Sequence, residues 1–127
     1  MWTFYDYVDG RGNNPFHEWL SELSKKARAK VHVRLHDLET LPREQWADWV
    51  GPLVGSEWDG IYEIRFFVDK KRIRPLFCVG PGKAEATLLM GAVEIDREIE
   101  PKSAARTCQV RRAQLKGGGH AVRHRFD

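Results

Sequence analysis

The sequence has few cysteines and no long apolar segment. Its two cysteines, Cys78 and Cys108, have neither metal-ligand spacing nor the pattern of a disulfide framework, which is typical of a reduced, cytoplasmic protein. The longest apolar stretch, ATLLMGAV at residues 86–93, is far shorter than the roughly 20 residues of a membrane span. The start, MWTFYDYVDG, lacks the basic residues and the apolar core of a signal peptide. We therefore expect no contact with membranes.

The length and the aromatic content indicate one domain with its own core. A chain of 127 residues falls within the usual range for a single domain. Five Trp, six Phe and three Tyr supply large core side chains, so we expect neither a structural metal nor a cofactor. The prediction is one folded domain over residues 1–116 and, from the glycines at 117–119 onward, a flexible basic tail over residues 117–127.

The pattern along the chain predicts an α+β fold. Residues 2–9 are aromatic and β-branched, which is typical of a strand. Asn14 is a suitable N-cap, with Pro15 at the first helical position. Ser24 can cap a second helix that stops at Pro42, so two antiparallel helices are favoured over one long helix. The remaining predicted elements are strands at about 61–68, 72–79 and 84–93 and a C-terminal helix that ends before the three glycines.

Arginines interrupt the apolar hairpin GIYEIRFFVDKKRIRPLF at residues 60–77. With a two-residue loop at Lys70-Lys71, Phe67 faces Arg74 across the hairpin. A slip by one residue would mix arginines into the apolar face, which the two-residue period of strands disfavours. One face of the sheet is therefore expected to pack on the helices, and the other is expected to carry Glu63, Arg65, Phe67, Arg72 and Arg74.

This second face has two interpretations. A guanidinium group can bind phosphate through two hydrogen bonds and can stack on bases. Phe67 and Arg72 among further arginines therefore indicate a surface that binds nucleic acid. The alternative is an ordinary solvated sheet face on which Glu63 and Arg65 form an ion pair.

The C-terminal segment concentrates positive charge. Residues 102–127 carry seven Lys or Arg against one Asp, a net charge of +6 in a chain whose formal net charge is +3. Such asymmetry indicates an anionic partner, and nucleic acid is the commonest large one. Arg111 and Arg112 are the predicted contacts. A solvated helix face with a frayed end would explain the same charges.

Three pieces of sequence occur in a familiar order: FHEWLSELSKKARAKVHVRLHDLETLP, GIYEIRFFVDKKRIRPLF and TLLMGAVE. Together they resemble the RelE/ParE superfamily of bacterial toxins, most closely its phage-related, HigB-type branch, over about residues 14–116. The resemblance implies a RelE-like α+β fold: an antiparallel sheet of about four strands with two N-terminal helices on one face and a C-terminal helix. Arg65 and Arg74 match arginines of two successive family strands. Glu94-Ile95 stand where many relatives have a lysine pair.

The resemblance also implies a function. Relatives are toxins of type II toxin–antitoxin pairs, which cut mRNA on the ribosome and are silenced by a cognate antitoxin protein. The expected activity is therefore a ribosome-dependent mRNA endonuclease. Because the family lysines are missing, the alternative is a catalytically silent binding protein on the same scaffold, such as a ParE-like gyrase inhibitor or a phage-derived modulator.

Metal-free RNA cleavage needs a base, a cation that stabilises the phosphorane, and an acid for the leaving oxygen. Arg65 and Arg74 suit the cationic role, because a guanidinium group stays protonated. Glu63 and His124 are the candidates for proton transfer, together with the other tail histidine, His120. His32 and His36 are one helical turn apart, but the nearby sequence offers no third ligand, so no metal site is predicted.

Overall fold

The computed structural model describes residues 1–126. In this part of the chain it has three α-helices and eight β-strands, joined in places by short 3-10 turns. The strands are β1 (Thr3–Val8), β2 (Val50–Pro52), β3 (Ile61–Ile64), β4 (Phe66–Val68), β5 (Lys71–Val79), β6 (Glu85–Ile95), β7 (Glu98–Glu100) and β8 (His120–Arg123). The helices are α1 (Pro15–Glu22), α2 (Lys25–Thr40) and α3 (Ala104–Lys116).

The N-terminal helices begin where the sequence predicts. The Asn14 side chain accepts a hydrogen bond from the His17 backbone N–H at 3.0 Å, and Pro15 opens α1. The Ser24 hydroxyl oxygen accepts from the Ala27 N–H at 3.1 Å and so starts α2 as a separate helix. The prediction of two helices is confirmed. None of the helices within residues 1–126 is long and apolar enough to cross a membrane.

The sheet is larger than the expected four strands and is mixed. Its strands run in the order β2-β3-β5-β6-β1-β8, with β4 also pairing with β5 and β7 with β6. Strand β1 runs parallel to β6, and the other pairs are antiparallel. The sequence does not reveal β2, β7 or β8 because three or four residues are too few to establish a two-residue period.

The two N-terminal helices lie on one face of the sheet, as expected, and the C-terminal helix packs on the other face. Helices α1 and α2 cover one face, where Phe16, Val31 and Leu35 pack with Phe77 in the larger core cluster. Helix α3 covers part of the other face through a second buried cluster around Cys108. Strands β5 and β6 are therefore buried on both sides over much of their length.

The hairpin keeps its predicted faces with a shifted loop. Its two loop residues are Asp69 and Lys70, at φ of 54° and 61°, rather than Lys70-Lys71. Two left-handed residues match the twist of a tight hairpin, and aspartate tolerates that conformation. Phe67 consequently faces Arg72 instead of Arg74. The shift preserves parity, so every side chain stays on its predicted face.

The segment expected as a flexible tail joins the sheet. Residues His120–Arg123 form β8, antiparallel to β1 at the edge of the sheet. The Arg123 guanidinium binds both carboxylate oxygens of Glu39 on α2, at 2.8 and 2.9 Å. These contacts hold residues 120–124 against the domain, which a glycine-rich joint alone does not reveal.

Candidate functional site

The predicted site residues of the hairpin gather at one end of the sheet face that α3 occupies. Helix α3 packs on the other end of this face, around Ile61 and Cys78. The uncovered end bears an open concavity lined by Arg65, Phe66, Phe67, Arg72 and Arg74. We call the five charged side chains at this end the arginine cluster: Glu63, Arg65, Arg72, Arg74 and Glu94.

Arg74 is the buried centre of the arginine cluster, with a relative exposure of 7%. Its Nη1 donates to the backbone oxygens of Phe66 and Ile73, both at 3.1 Å. Its Nε lies 3.2 Å from Glu63 Oε1, and its Nη2 lies 3.5 Å from Glu94 Oε1. Arg74 therefore holds two carboxylates and the backbone oxygens of two neighbouring strands. Its guanidinium group is not freely available to a ligand.

Arg65 is the first exposed cation of the cluster, with 42% of its side chain accessible. Its backbone N–H donates to the Trp49 oxygen at 2.8 Å, which interrupts the strand between β3 and β4. Its Nε donates to Glu63 Oε2 at 3.2 Å. The guanidinium lies over Gly51, where any Cβ would overlap it. A glycine on the neighbouring strand thus provides the space that Arg65 occupies.

Arg72 is the second exposed cation, with 59% of its side chain accessible. Its guanidinium lies 5.9 Å from the centre of the Phe67 ring, which is itself 64% exposed. Its Nε lies 4.0 Å from Glu94 Oε2. The structure therefore brings together the exposed aromatic and the flanking arginines that the sequence predicts on one face.

Glu94 is a member of the cluster that sequence reasoning did not assign. It pairs with Arg72 across β5 and β6, and its side chain is 25% exposed, against 12% for Glu63. The sequence signal that could have identified Glu94 is the register of the β5–β6 hairpin, which places its carboxylate opposite Arg72. Of the two carboxylates in the cluster, Glu94 is the more accessible.

The arrangement leaves one net positive charge from three guanidinium groups and two carboxylates. Arg74 is neutralised by its two buried or half-buried partners, whereas Arg65 and Arg72 reach solvent. Two exposed guanidinium groups beside an exposed aromatic can hold a phosphate and stack a base. A half-buried carboxylate beside them can accept a proton.

His124 does not join the arginine cluster. It is buried beneath α1 and α2, on the opposite face of the sheet, in ring contact with Phe16. Its Nδ1 lies 2.8 Å from Asp6 Oδ1, and its Nε2 lies 3.2 Å from His32 Nδ1. His124 thus anchors the C-terminal strand and cannot transfer protons at Arg65 and Arg74. The other tail histidine, His120, is exposed on β8.

Arg111 and Arg112 are also separate from the cluster. Arg111 Nη1 donates to the Leu89 oxygen at 2.7 Å, and its guanidinium lies 5.3 Å from the Tyr7 ring centre. Arg112 Nη1 donates to the Asp59 oxygen at 3.0 Å, at the start of β3. Both arginines attach α3 to the sheet, and the structure does not bring them to the predicted RNA surface.

The remaining titratable candidates do not form a metal centre. Among residues 1–126 there is no group of three or more His, Cys, Asp or Glu side chains that could hold a metal ion. His36 instead makes a ring contact with Phe126, with 5.6 Å between ring centres.

With this geometry in place, comparison with known proteins identifies a family. The family described as Phage derived protein Gp49-like (DUF891) matches residues 18–92, more than half of the chain. The chain belongs to the Gp49-like family. This family is related to the RelE-like toxins, and the matched range includes four of the five cluster residues, all but Glu94. No curated protein and no solved structure matches the chain.

Proposed function

We propose that this Gp49-like protein is the toxin of a type II toxin–antitoxin pair and that it cuts mRNA on the ribosome at the arginine cluster. One observation carries the proposal: Arg65 and Arg72 are exposed and line one concavity with the exposed Phe67, next to a half-buried glutamate. The relation of the Gp49-like family to toxins supports the biological role. The HigB-type assignment and the cytoplasmic location belong to the same proposal.

In the proposed reaction, Arg65 and Arg72 bind the scissile phosphate. Glu94 accepts the proton of the 2′-hydroxyl, and the 2′-oxygen then attacks phosphorus. The bond from phosphorus to the 5′-oxygen breaks, which leaves a 2′,3′-cyclic phosphate. Water supplies the proton that the 5′-oxygen takes up, and the resulting hydroxide takes back the proton held by Glu94. The guanidinium groups stabilise the extra charge on the phosphorane. Arg74 acts through Glu63 and Glu94 as a positioning residue.

The partners follow from the same proposal. The ribosome presents mRNA as a single strand, which an exposed aromatic and two arginines can contact. A cognate antitoxin protein, encoded beside this one, would silence the activity until it is removed. Its gene should lie next to the gene of this protein.

The experiment is induced expression with paired variants. Wild-type protein should arrest growth and produce new 5′-hydroxyl ends in transcripts, whereas the double variant Arg65→Ala/Arg72→Ala should do neither. Both side chains are exposed, so the variant should fold. The control is Arg106→Ala, an exposed arginine on α3 outside the cluster. Full toxicity of the double variant would refute the proposed site.

A second candidate function is a catalytically silent binding protein on this scaffold, such as a gyrase inhibitor or a phage-derived modulator. The observation that favours it is Glu94, an acid where many relatives of the RelE/ParE superfamily carry lysine, paired here with Arg74. This candidate predicts growth arrest with intact transcripts. Mapping transcript ends after induction separates the two functions.

A further inference from the structure

A second concavity lies between α2 and the β3–β4 bend, and we call it the α2 groove. Its volume is about 500 Å³, within the usual range of small-ligand sites. The lining side chains that matter here are Lys30, Val33, Arg34, Trp49, Arg65 and Phe67.

The α2 groove combines positive charge with exposed apolar surface. Among residues 1–126, three cations line it, and no acidic side chain does. Val33 and Phe67 are 61% and 64% exposed, which is high for large apolar side chains. The Arg34 guanidinium lies 4.5 Å from the Trp49 ring centre, so this cation is held in place. Charge and shape both suit a ligand that has an anionic and a flat apolar part.

The groove continues into the arginine cluster. Arg65, Phe66 and Phe67 line both the α2 groove and the concavity of the cluster. Phe67 therefore stands at the junction, with Arg65 and Arg72 beside it. A polymer that is bound at the cluster can pass over Phe67 into the groove without leaving the surface.

We propose that the α2 groove binds the nucleotide next to the scissile one in single-stranded RNA, with its base on Phe67 and Val33 and its phosphate at Lys30 and Arg34. The inference rests on the proposed function, because it assumes that RNA occupies the cluster. An acidic protein segment would match the charge of the groove as well. Continuity with the phosphate-binding arginines and the exposed aromatic at the junction favour RNA.

The test measures binding of fluorescently labelled oligouridylates of 2 and 12 nucleotides by anisotropy. Wild-type protein should bind the 12-mer more tightly, because only the longer strand fills both the cluster and the groove. Lys30→Glu should weaken 12-mer binding about tenfold and remove most of the length dependence. The slope of log K against log salt should fall by about 0.7 or more, the contribution of one phosphate contact on a single strand.

The matched control is Lys25→Glu, the same charge change on an exposed residue of α2 outside the groove. Equal unfolding midpoints would show that both variants fold. Equal 12-mer binding by the two variants would overturn the inference, and so would a Lys30→Glu variant that loses only a protein partner. If Arg65→Ala/Arg72→Ala abolishes binding while Lys30→Glu does not, the groove inference fails and the proposed function stands. If wild type binds neither RNA, the groove inference fails, whereas growth arrest and the mapping of transcript ends decide the proposed function.

Discussion

Arg74 Nε lies 3.2 Å from Glu63 Oε1, yet neither atom makes a hydrogen bond within residues 1–126, and both are buried. The pair is held together by charge and by the other contacts of each side chain. Glu63 Oε2 accepts from Arg65, and Arg74 Nη1 donates to two backbone oxygens. These two arginines of the cluster thus differ in role. Arg74 holds the Glu63 and Glu94 carboxylates in position, whereas Arg65 is exposed to solvent.

The first prediction concerns the stability that this pair provides. Arg74→Met should lower the free energy of unfolding by about 3 kcal/mol, because it leaves the buried Glu63 carboxylate without one of its two cations. Urea unfolding measures the change. Arg106→Ala, at an exposed position of α3, should stay within about 0.5 kcal/mol of wild type.

A double-mutant cycle separates pairing from packing. Glu63→Leu/Arg74→Met replaces both charges by apolar groups, so it should cost clearly less than the sum of the two single changes. Additive costs would show that the two side chains do not stabilise each other.

The second prediction uses the glycine beneath Arg65. Gly51→Ala places a Cβ in the space of the Arg65 guanidinium, which must then move. The end of a flexible side chain can shift at little cost, so stability should change by under about 1 kcal/mol. RNA affinity and cleavage should fall several-fold, as measured by anisotropy and by gel. Gly10→Ala, where a Cβ would meet nothing within 4 Å, is the matched control.

The third prediction assigns the proton acceptor. Glu94→Gln keeps the size of the side chain but removes its basicity. The cleavage rate should drop by about a hundredfold or more, while RNA binding stays the same or tightens because one negative charge is lost. Single-turnover cleavage beside anisotropy makes the comparison. Unchanged cleavage by this variant would transfer the role of base away from Glu94.

The sequence predicts the elements of this fold that begin at a helix-capping residue or show a regular alternation of apolar and charged residues. Asn14 and Ser24 mark the starts of α1 and α2, and the alternation of apolar and charged residues determines the two faces of the β4–β5 hairpin. The assignment of side chains to the two faces does not depend on the exact loop. Moving the loop from Lys70-Lys71 to Asp69-Lys70 changes the cross-strand partners but leaves each side chain on its face.

What escaped the sequence are relations between distant segments. His124 contacts Asp6, which lies 118 residues earlier in the chain. Glu94 contacts Arg74 through a hairpin register that the composition does not determine. The burial of Arg74 depends on strand β6 and on the Phe66 oxygen, so residue type alone could not distinguish it from the exposed Arg65.

The fourth prediction concerns the thiols. Burial raises the pKa of Cys78 to about 11 and that of Cys108 to about 12, so both stay protonated and shielded at pH 8. Neither should react with a thiol reagent before unfolding, whereas a Val110→Cys variant, at a position that is 49% exposed, should react at once at the new site. A folded pKa above the ordinary 9.0 stabilises the fold at low pH. The free energy of unfolding should therefore decrease as pH rises from about 9 towards 12, and this decrease should be smaller in Cys78→Ala.

The fifth prediction tests the structural role of His124. Because its ring fills a buried site and contacts Asp6 at 2.8 Å, His124→Ala should cost about 2–4 kcal/mol of stability and leave a buried carboxylate with one partner fewer. RNA cleavage per folded molecule, measured well below the unfolding midpoint, should stay at the wild-type level, because the ring lies on the face opposite Arg65. His120→Ala, at an exposed histidine of β8 near His124 in the sequence, should change neither quantity. Loss of cleavage in a fully folded His124→Ala protein would place this histidine in the reaction and contradict the separation of the two sites.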